Sequence, residues 1–261
     1  MESTAVRLAP GVTQLTDPMG VCMTLLEGAE RALLVDTGYG LTDVREEVDR
    51  LIGPDMPRWV LLTHGHHDHA LGAMRFGPGC WLFPEDLPVY ETYTGAAQRR
   101  RVLDSALARG IRPPEGEAWL TLAAPATVPP PPEADLGGMR VRILKVPGHT
   151  PGSAVALVND DILITGDDWN MTTWLFFPEA LPAAAYREHM RQLLTLPFRR
   201  VICSHQPGLF PREALEAFVS GLTDEALRGA LPCGEGAEKG IATRFIQPAE
   251  GQRFVFDGAK Y

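Results

Sequence analysis

The sequence lacks closely spaced cysteines, any apolar run long enough to cross a bilayer, a basic leader segment and a surplus of positive charge. Its four cysteines, Cys22, Cys80, Cys203 and Cys233, are isolated, with no CxxC spacing. That excludes a disulfide scaffold or a cysteine-built zinc clip and predicts reduced thiols. Nothing approaches the roughly 20 consecutive apolar residues of a membrane span. The opening MESTAVRLAPGVTQLTDP has neither a basic n-region nor an apolar h-region, so the expectation is a soluble, cytoplasmic chain with no membrane partner. A formal net charge of -9 opposes long-range attraction to phosphate backbones, which predicts no nucleic-acid partner. The run Arg99-Arg100-Arg101 departs from that trend and reads as the solvated face of a helix.

What the sequence does have is enough apolar content, 45% of 261 residues, for a sizeable core without staples. Short Val-, Leu- and Thr-rich segments at Val12 to Thr16, Cys22 to Leu26 and Ala32 to Val35 predict an antiparallel start, with turns at Asp17-Pro18 and Gly28. A helix from Thr42 to Ile52 follows, capped by Thr42 and stopped by Gly53-Pro54. Trp59 to Thr63 and a segment near Cys80 to Phe83 predict strands. Residues 85–118 carry a largely helical pattern that reads as a lid.

Pro129 to Pro132 offers no backbone donors and must be a connection, dividing the chain near its middle. Beyond it, strands are expected at Arg140 to Val146, Ala154 to Val158, Ile162 to Thr165 and Val201 to Cys203, and helices at Pro182 to Leu196 and Arg212 to Leu222. In the first helix Tyr186, Met190, Leu193 and Leu194 form one apolar stripe. Both halves thus run strands before helices, which predicts two packed sheets with helices outside. The expected organisation is one domain over 1–261, with a C-terminal extension over 223–261.

Four of the seven histidines crowd into His64-Gly65-His66-His67-Asp68-His69. In an extended loop His64 and His66 point the same way, while Asp68 and His69 turn toward a second point nearby. Imidazole and carboxylate donors suit zinc. His67 alternates away from His66 and reads as outward or structural, and His189 has no assigned role. The second half supplies further donors just after predicted strands: His149 in Pro147-Gly148-His149-Thr150-Pro151-Gly152, Asp167 in Thr165-Gly166-Asp167, and His205 in Cys203-Ser204-His205. Singly, His149 and His205 read as surface loop residues and Asp167 as a helix N-cap; beside the histidine loop they read as ligands.

The motifs THGHHDH, GHTPGS, TGD and SH, in that order and with Asp36-Thr37-Gly38 upstream, resemble the metallo-β-lactamase-fold superfamily across residues 20–210. The resemblance implies an α/β (α+β) architecture, a four-layer αββα sandwich of two mixed sheets, with a two-metal site at one edge. It implies two zinc ions, with iron or manganese as alternatives: one on His64, His66 and His149, the other on Asp68, His69 and His205, with Asp167 bridging. Asp36 would brace the histidine loop. Asp168 follows directly, so the residues alone leave open which carboxylate bridges; the Gly-then-Asp pattern favours Asp167. Ser204 and Leu71 stand where glycine is usual, and neither removes a ligand.

A bridging aspartate resembles the glyoxalase II, lactonase and phosphodiesterase branches more than true β-lactamases. The expectation is a hydrolase that uses a metal-bridging hydroxide, oriented by Asp68, to cleave a small ester, lactone or thioester. Trp169 and Trp174 are expected to line its pocket; Phe176, Phe177, Tyr90 and Tyr93 are weaker candidates. The pattern also resembles persulfide dioxygenases, which would put one iron on His64, His149 and Asp167, and phosphodiesterases of the same fold. The oligomeric state is not legible in the sequence.

Overall fold

In the computed structural model, which describes residues 3–261, the first sheet takes its strands in sequence order; residues 1 and 2 of the expected 1–261 domain lie outside the described residues. These strands are β1 (Thr4–Ala9), β2 (Val12–Thr16), β3 (Cys22–Glu27), β4 (Ala32–Val35), β5 (Arg58–Leu61), β6 (Cys80–Trp81) and β7 (Thr127–Val128). β1 to β4 pair antiparallel through short turns, and β4 to β7 pair parallel. Parallel neighbours need crossovers. They are α1 (Val44–Ile52), then the short α2 (His67–Ala70), then α3 (Leu87–Tyr93) with α4 (Ala96–Ala108).

The proline tract carries the chain out of β7 and into a second sheet. Its elements are β8 (Glu133–Asp135), β9 (Arg140–Lys145), β10 (Ala154–Val158) and β11 (Ile162–Ile164). After β12 (Thr172–Leu175) and α5 (Ala183–Leu193) come β13 (Arg200–Ile202), β14 (Phe210–Pro211) and α6 (Arg212–Gly221). The order across this sheet is β14-β13-β11-β10-β9-β8. β12 leaves it. With α7 (Asp224–Arg228), β15 (Leu231–Pro232), β16 (Thr243–Ile246) and β17 (Arg253–Asp257), the final segment builds a third sheet ordered β12-β17-β16-β15. Residues 223–261, expected as an extension, are therefore tied by the parallel β12–β17 pair to the segment that follows Asp167.

Strand alternation explains the layers. On β4, Leu33 and Val35 face the second sheet's Val141, Ile143, Ala156 and Ile164, while Ala32 and Leu34 face α1 residues Val44 and Val48. On β10, Ala156 and Val158 point inward, and Val155 and Leu157 pack against Tyr186 and Met190 of α5 and Phe218 of α6. A strand covered on both faces must be apolar at consecutive positions, as Ala32 to Val35 and Ala154 to Val158 are. The result is the αββα sandwich.

Several local expectations are corrected. Asp43, not Thr42, caps α1, accepting the Glu46 N–H at 3.1 Å. The helical stretch beginning near Glu85 breaks at Thr94-Gly95 into α3 and α4. Arg99 is buried rather than solvated: its Nε donates to the Thr94 carbonyl at 2.8 Å, which supplies an acceptor inside the bend between the helices. No helix among the described residues is long and apolar enough to cross a membrane.

Phe218 is fully buried between α6 and the second sheet, edge-on to Phe254 at 5.9 Å. Phe218→Ala is expected to cost about 3–5 kcal/mol through lost transfer energy and the cavity left behind. Equilibrium denaturation measures this, and a loss below about 1 kcal/mol contradicts the packing described.

Candidate metal centre

The potential donors sit just beyond strand ends or, for Asp68 and His69, on α2. Asp36 follows β4, His64 and His66 follow β5, His149 follows β9, Asp167 follows β11 and His205 follows β13. Asp36 itself adopts a left-handed backbone, φ 63°, a conformation aspartate tolerates better than most residues.

The side chains form two adjacent groups. In the first, Nδ1 of His66 lies 3.1 Å from Nε2 of His64 and 2.9 Å from Nε2 of His149. In the second, Oδ2 of Asp167 lies 3.4 Å from Nε2 of His69 and 3.1 Å from Nε2 of His205, and Oδ2 of Asp68 lies 3.6 Å from both imidazoles. The same Asp167 oxygen is 3.6 Å from Nε2 of His149, so it stands between the groups. Asp168 turns away, and its Oδ1 accepts the backbone N–H of His149 at 3.0 Å.

The outward-facing ring nitrogens of the four buried histidines are all engaged. His64 Nδ1 meets the Thr63 hydroxyl at 3.1 Å, and that hydroxyl donates to Asp36. His66 Nε2 meets Glu179 Oε1 at 2.6 Å, His69 Nδ1 meets Asp36 Oδ2 at 2.8 Å, and His149 Nδ1 donates to the Trp174 carbonyl at 2.7 Å. A proton on each outer nitrogen leaves a lone pair on each inner one. Asn170 performs the analogous task for the second group: its Nδ2 donates to Asp167 Oδ1 and its Oδ1 accepts the His205 N–H.

Electrostatics point the same way in the first group, whereas in the second burial is outweighed by Asp167 and Asp68, which raise His69 and His205, so a cation bound there displaces protons. Burial, reinforced by the neighbouring histidines, pushes His64 well below the usual imidazole range, and burial lowers His66 to about 4 despite Glu179. Both are neutral at physiological pH. Burial disfavours the ionised aspartates, yet His205 and His69 hold Asp167 well below the carboxylate range, and His69, His67 and His205 hold Asp68 at about 2.

These features fit a pair of metal ions. The donor separations bracket the edge of a tetrahedron with arms of zinc-ligand length, about 3.3 Å. Nε2 of His69 is buried and makes no hydrogen bond with the described residues, an orphaned atom of the kind a cation satisfies. The sets His64, His66, His149 and Asp68, His69, Asp167, His205 could each hold an ion.

Two loops must be held together for this, and Asp86 does so. Fully buried, it accepts the N–H of Gly65 at 2.5 Å and of Gly152 at 2.8 Å, tying the histidine loop to the loop carrying His149. Gly65 has to be glycine: a Cβ there would lie 2.4 Å from the Tyr90 nitrogen.

The second group opens onto a cavity of about 320 Å³ that Trp174 and Tyr39 help to line. Trp169, expected to line it too, does not. Its indole is fully buried in the core under the second sheet and donates to Gln252. Phe177 packs against the rings of His66 and His149, Phe176 is buried, and the Tyr90 hydroxyl donates to the Pro125 carbonyl. Tyr93 stacks on His67 at 5.8 Å and touches His66 at 4.4 Å, which gives His67 a packing role. His189 meets the Pro147 carbonyl at 2.6 Å and steadies the approach to His149. Thr63, Asp86, Asn170 and Glu179 were not anticipated. Only Thr63 and Asn170 had a signal, their closeness in sequence to His64 and Asp167.

The profile of the Metallo-beta-lactamase superfamily matches residues 16–205, and the chain belongs to that superfamily of metallo-hydrolases. An uncharacterised protein of Mycobacterium tuberculosis is 34% identical over 149 residues, 52% of this chain and 61% of that protein. A hydroxyacylglutathione hydrolase of Acidiphilium cryptum is 31% identical over 154 residues, 57% of this chain and 50% of that protein. The matched region thus spans only about half to three-fifths of these relatives' length. Among solved structures, TTHA1623 in a di-iron-bound form is 26% identical with a TM-score of 0.54, covering 77% of this chain and 94% of that one.

Asp86→Ala is expected to leave two buried N–H groups without an acceptor and to lower stability by about 2–4 kcal/mol. A denaturation midpoint equal to that of the parent protein would show that the two loops are held by something else.

Proposed function

We propose that the chain is a binuclear metal hydrolase acting on a small ester, lactone or thioester. The observation that carries this reading is Asp167 Oδ2 standing between two donor sets whose histidine lone pairs converge. His64, His66 and His149 would hold one ion, Asp68, His69 and His205 the other, and Asp167 both; zinc suits the donors, and the di-iron form of TTHA1623 makes iron the main alternative. When bound, such a pair lowers the pKa of water toward neutrality and polarises a carbonyl as a Lewis acid.

The chain's own groups do the rest. Asp68, held ionised and facing the cavity, accepts a hydrogen of the attacking water at its carboxylate and so orients the oxygen toward the acyl carbon. Water adds to that carbon, the C–O or C–S bond breaks, the leaving group takes a proton, and a carboxylic acid and an alcohol or thiol result. Trp174 and Tyr39 reduce the water around the acyl group. Glu179 keeps the His66 lone pair inward, as Asp36 does for His69. No serine or cysteine nucleophile is needed.

The test is metal analysis of the purified protein beside a panel of esters, lactones, thioesters and phosphodiesters. Two ions per chain and acyl hydrolysis are expected. One iron per chain with oxygen uptake would instead mark a dioxygenase built on His64, His149 and Asp167, and a phosphodiester preference would correct the substrate class. Metal retention with no turnover across the panel would mark a binding protein.

Two substitutions probe the residues. Asp167→Ala is expected to lower metal content and abolish turnover together; full activity in that variant sinks the two-metal assignment. Glu179→Gln is expected to weaken metal affinity about 10–100-fold, read by titration against a chelator, and unchanged affinity contradicts its bracing role.

A further inference from the structure

The cavity over the second donor set contains one cationic side chain, Arg109, on the same wall system as Tyr39, Trp174, Asp68, Asp167 and His205. Arg109 is the residue on which α4 ends; its backbone N–H still bonds to Ala106. Its guanidinium makes no hydrogen bond or ion pair with the described residues. The acids of the cavity do not consume its charge, because Asp68 and Asp167 are turned toward His69 and His205. The Tyr39 hydroxyl is likewise without a hydrogen-bond partner among the described residues, while its ring is fixed edge-on to His67 at 5.4 Å. Two donors without protein partners among the described residues, the exposed Arg109 guanidinium and the half-buried Tyr39 hydroxyl, therefore share a small cavity with the reacting groups.

A lone arginine fork in a concave site matches a carboxylate, which it can engage through two parallel N–H donors. It also answers an electrostatic difficulty: a chain of net charge -9 repels an anionic substrate unless a local cation offsets the field. Trp174, 44% exposed, supplies an apolar wall for the carbon chain between the anion and the scissile bond. A cavity of about 320 Å³ is at the lower end of small-molecule sites.

From this we infer that Arg109 and Tyr39 bind a carboxylate carried on the acyl part of the substrate, so that the preferred substrate is an ester or thioester of a dicarboxylic acid, or a lactone that bears a further carboxylate. The inference rests on the hydrolase reading for the scissile bond, and on Arg109 and Tyr39 alone for the anion. A hydrogen-bonded charged contact of this kind governs affinity by about 10–100-fold.

The experiment compares, on the metal-loaded protein, succinyl and butanoyl esters of the same alcohol. The parent protein is expected to favour the succinyl ester in kcat/KM, and Arg109→Ala to lower the succinyl-to-butanoyl ratio about 10–100-fold, mainly through KM. Arg109→Lys is expected to restore part of the ratio and Tyr39→Phe to lower it less. A ratio unchanged in Arg109→Ala, or a parent preference for the butanoyl ester, overturns the inference. If neither ester is turned over, the hydrolase reading has failed, and calorimetric titration with glutarate decides the anion site independently. Binding weakened at least tenfold in Arg109→Ala supports it; equal binding, or none to the parent protein, overturns it.

Discussion

The site depends on a single constraint: the four buried histidines must each have the outer ring nitrogen satisfied by the protein, because only then do the inner nitrogens carry lone pairs toward one another. Asp36, Thr63, Glu179 and the Trp174 carbonyl meet that requirement from four separate segments. The consequence is a cluster that is poor as a self-contained network. His64, His66 and His149 bring their inner nitrogens within about 3 Å of one another with no proton available to share between acceptors, and a cation is the natural complement.

The fold is what makes the constraint affordable in conformational terms. His64, His66, His149, Asp167 and His205 lie just past strand ends in one of two sheets packed face to face, and Asp68 and His69 lie on α2 directly after the β5 loop, so strand register fixes most of their placement before the loops contribute. Asp86 then removes the remaining freedom between the two halves by binding Gly65 and Gly152 with one carboxylate. The segment 172–175 adds a third restraint. Pairing β12 with β17 sets Trp174, whose carbonyl holds His149 while its indole faces the cavity.

Much of this was legible in the sequence because the informative residues are close together or follow a period. The histidine loop announces itself by density, and strands such as Ala154 to Val158 by apolar runs. The layer order follows from strand-then-helix repetition in both halves. Glu179, Asp86 and Arg109 were not legible: each is an ordinary charged residue that no motif marks, and becomes significant only when the chain returns it to the site from far away in sequence. The two tryptophans show the same limit. Trp169 and Trp174 both follow Asp167 closely in sequence, yet the nearer one lies under the second sheet and the other takes the open face of β12, where Leu175 takes the buried one. Arg99 misled in the opposite direction, because the bend between α3 and α4 encloses a residue that the local run marks as exposed and offers its Nε the Thr94 carbonyl.

The central claim is that two cations share Asp167, and anomalous-scattering maps from crystals of the metal-loaded protein test it most directly. The account predicts two peaks, one among His64, His66 and His149 and one among Asp68, His69 and His205, with Asp167 between them. A single peak held by His64, His149 and Asp167, or no peak at either donor set, would contradict it.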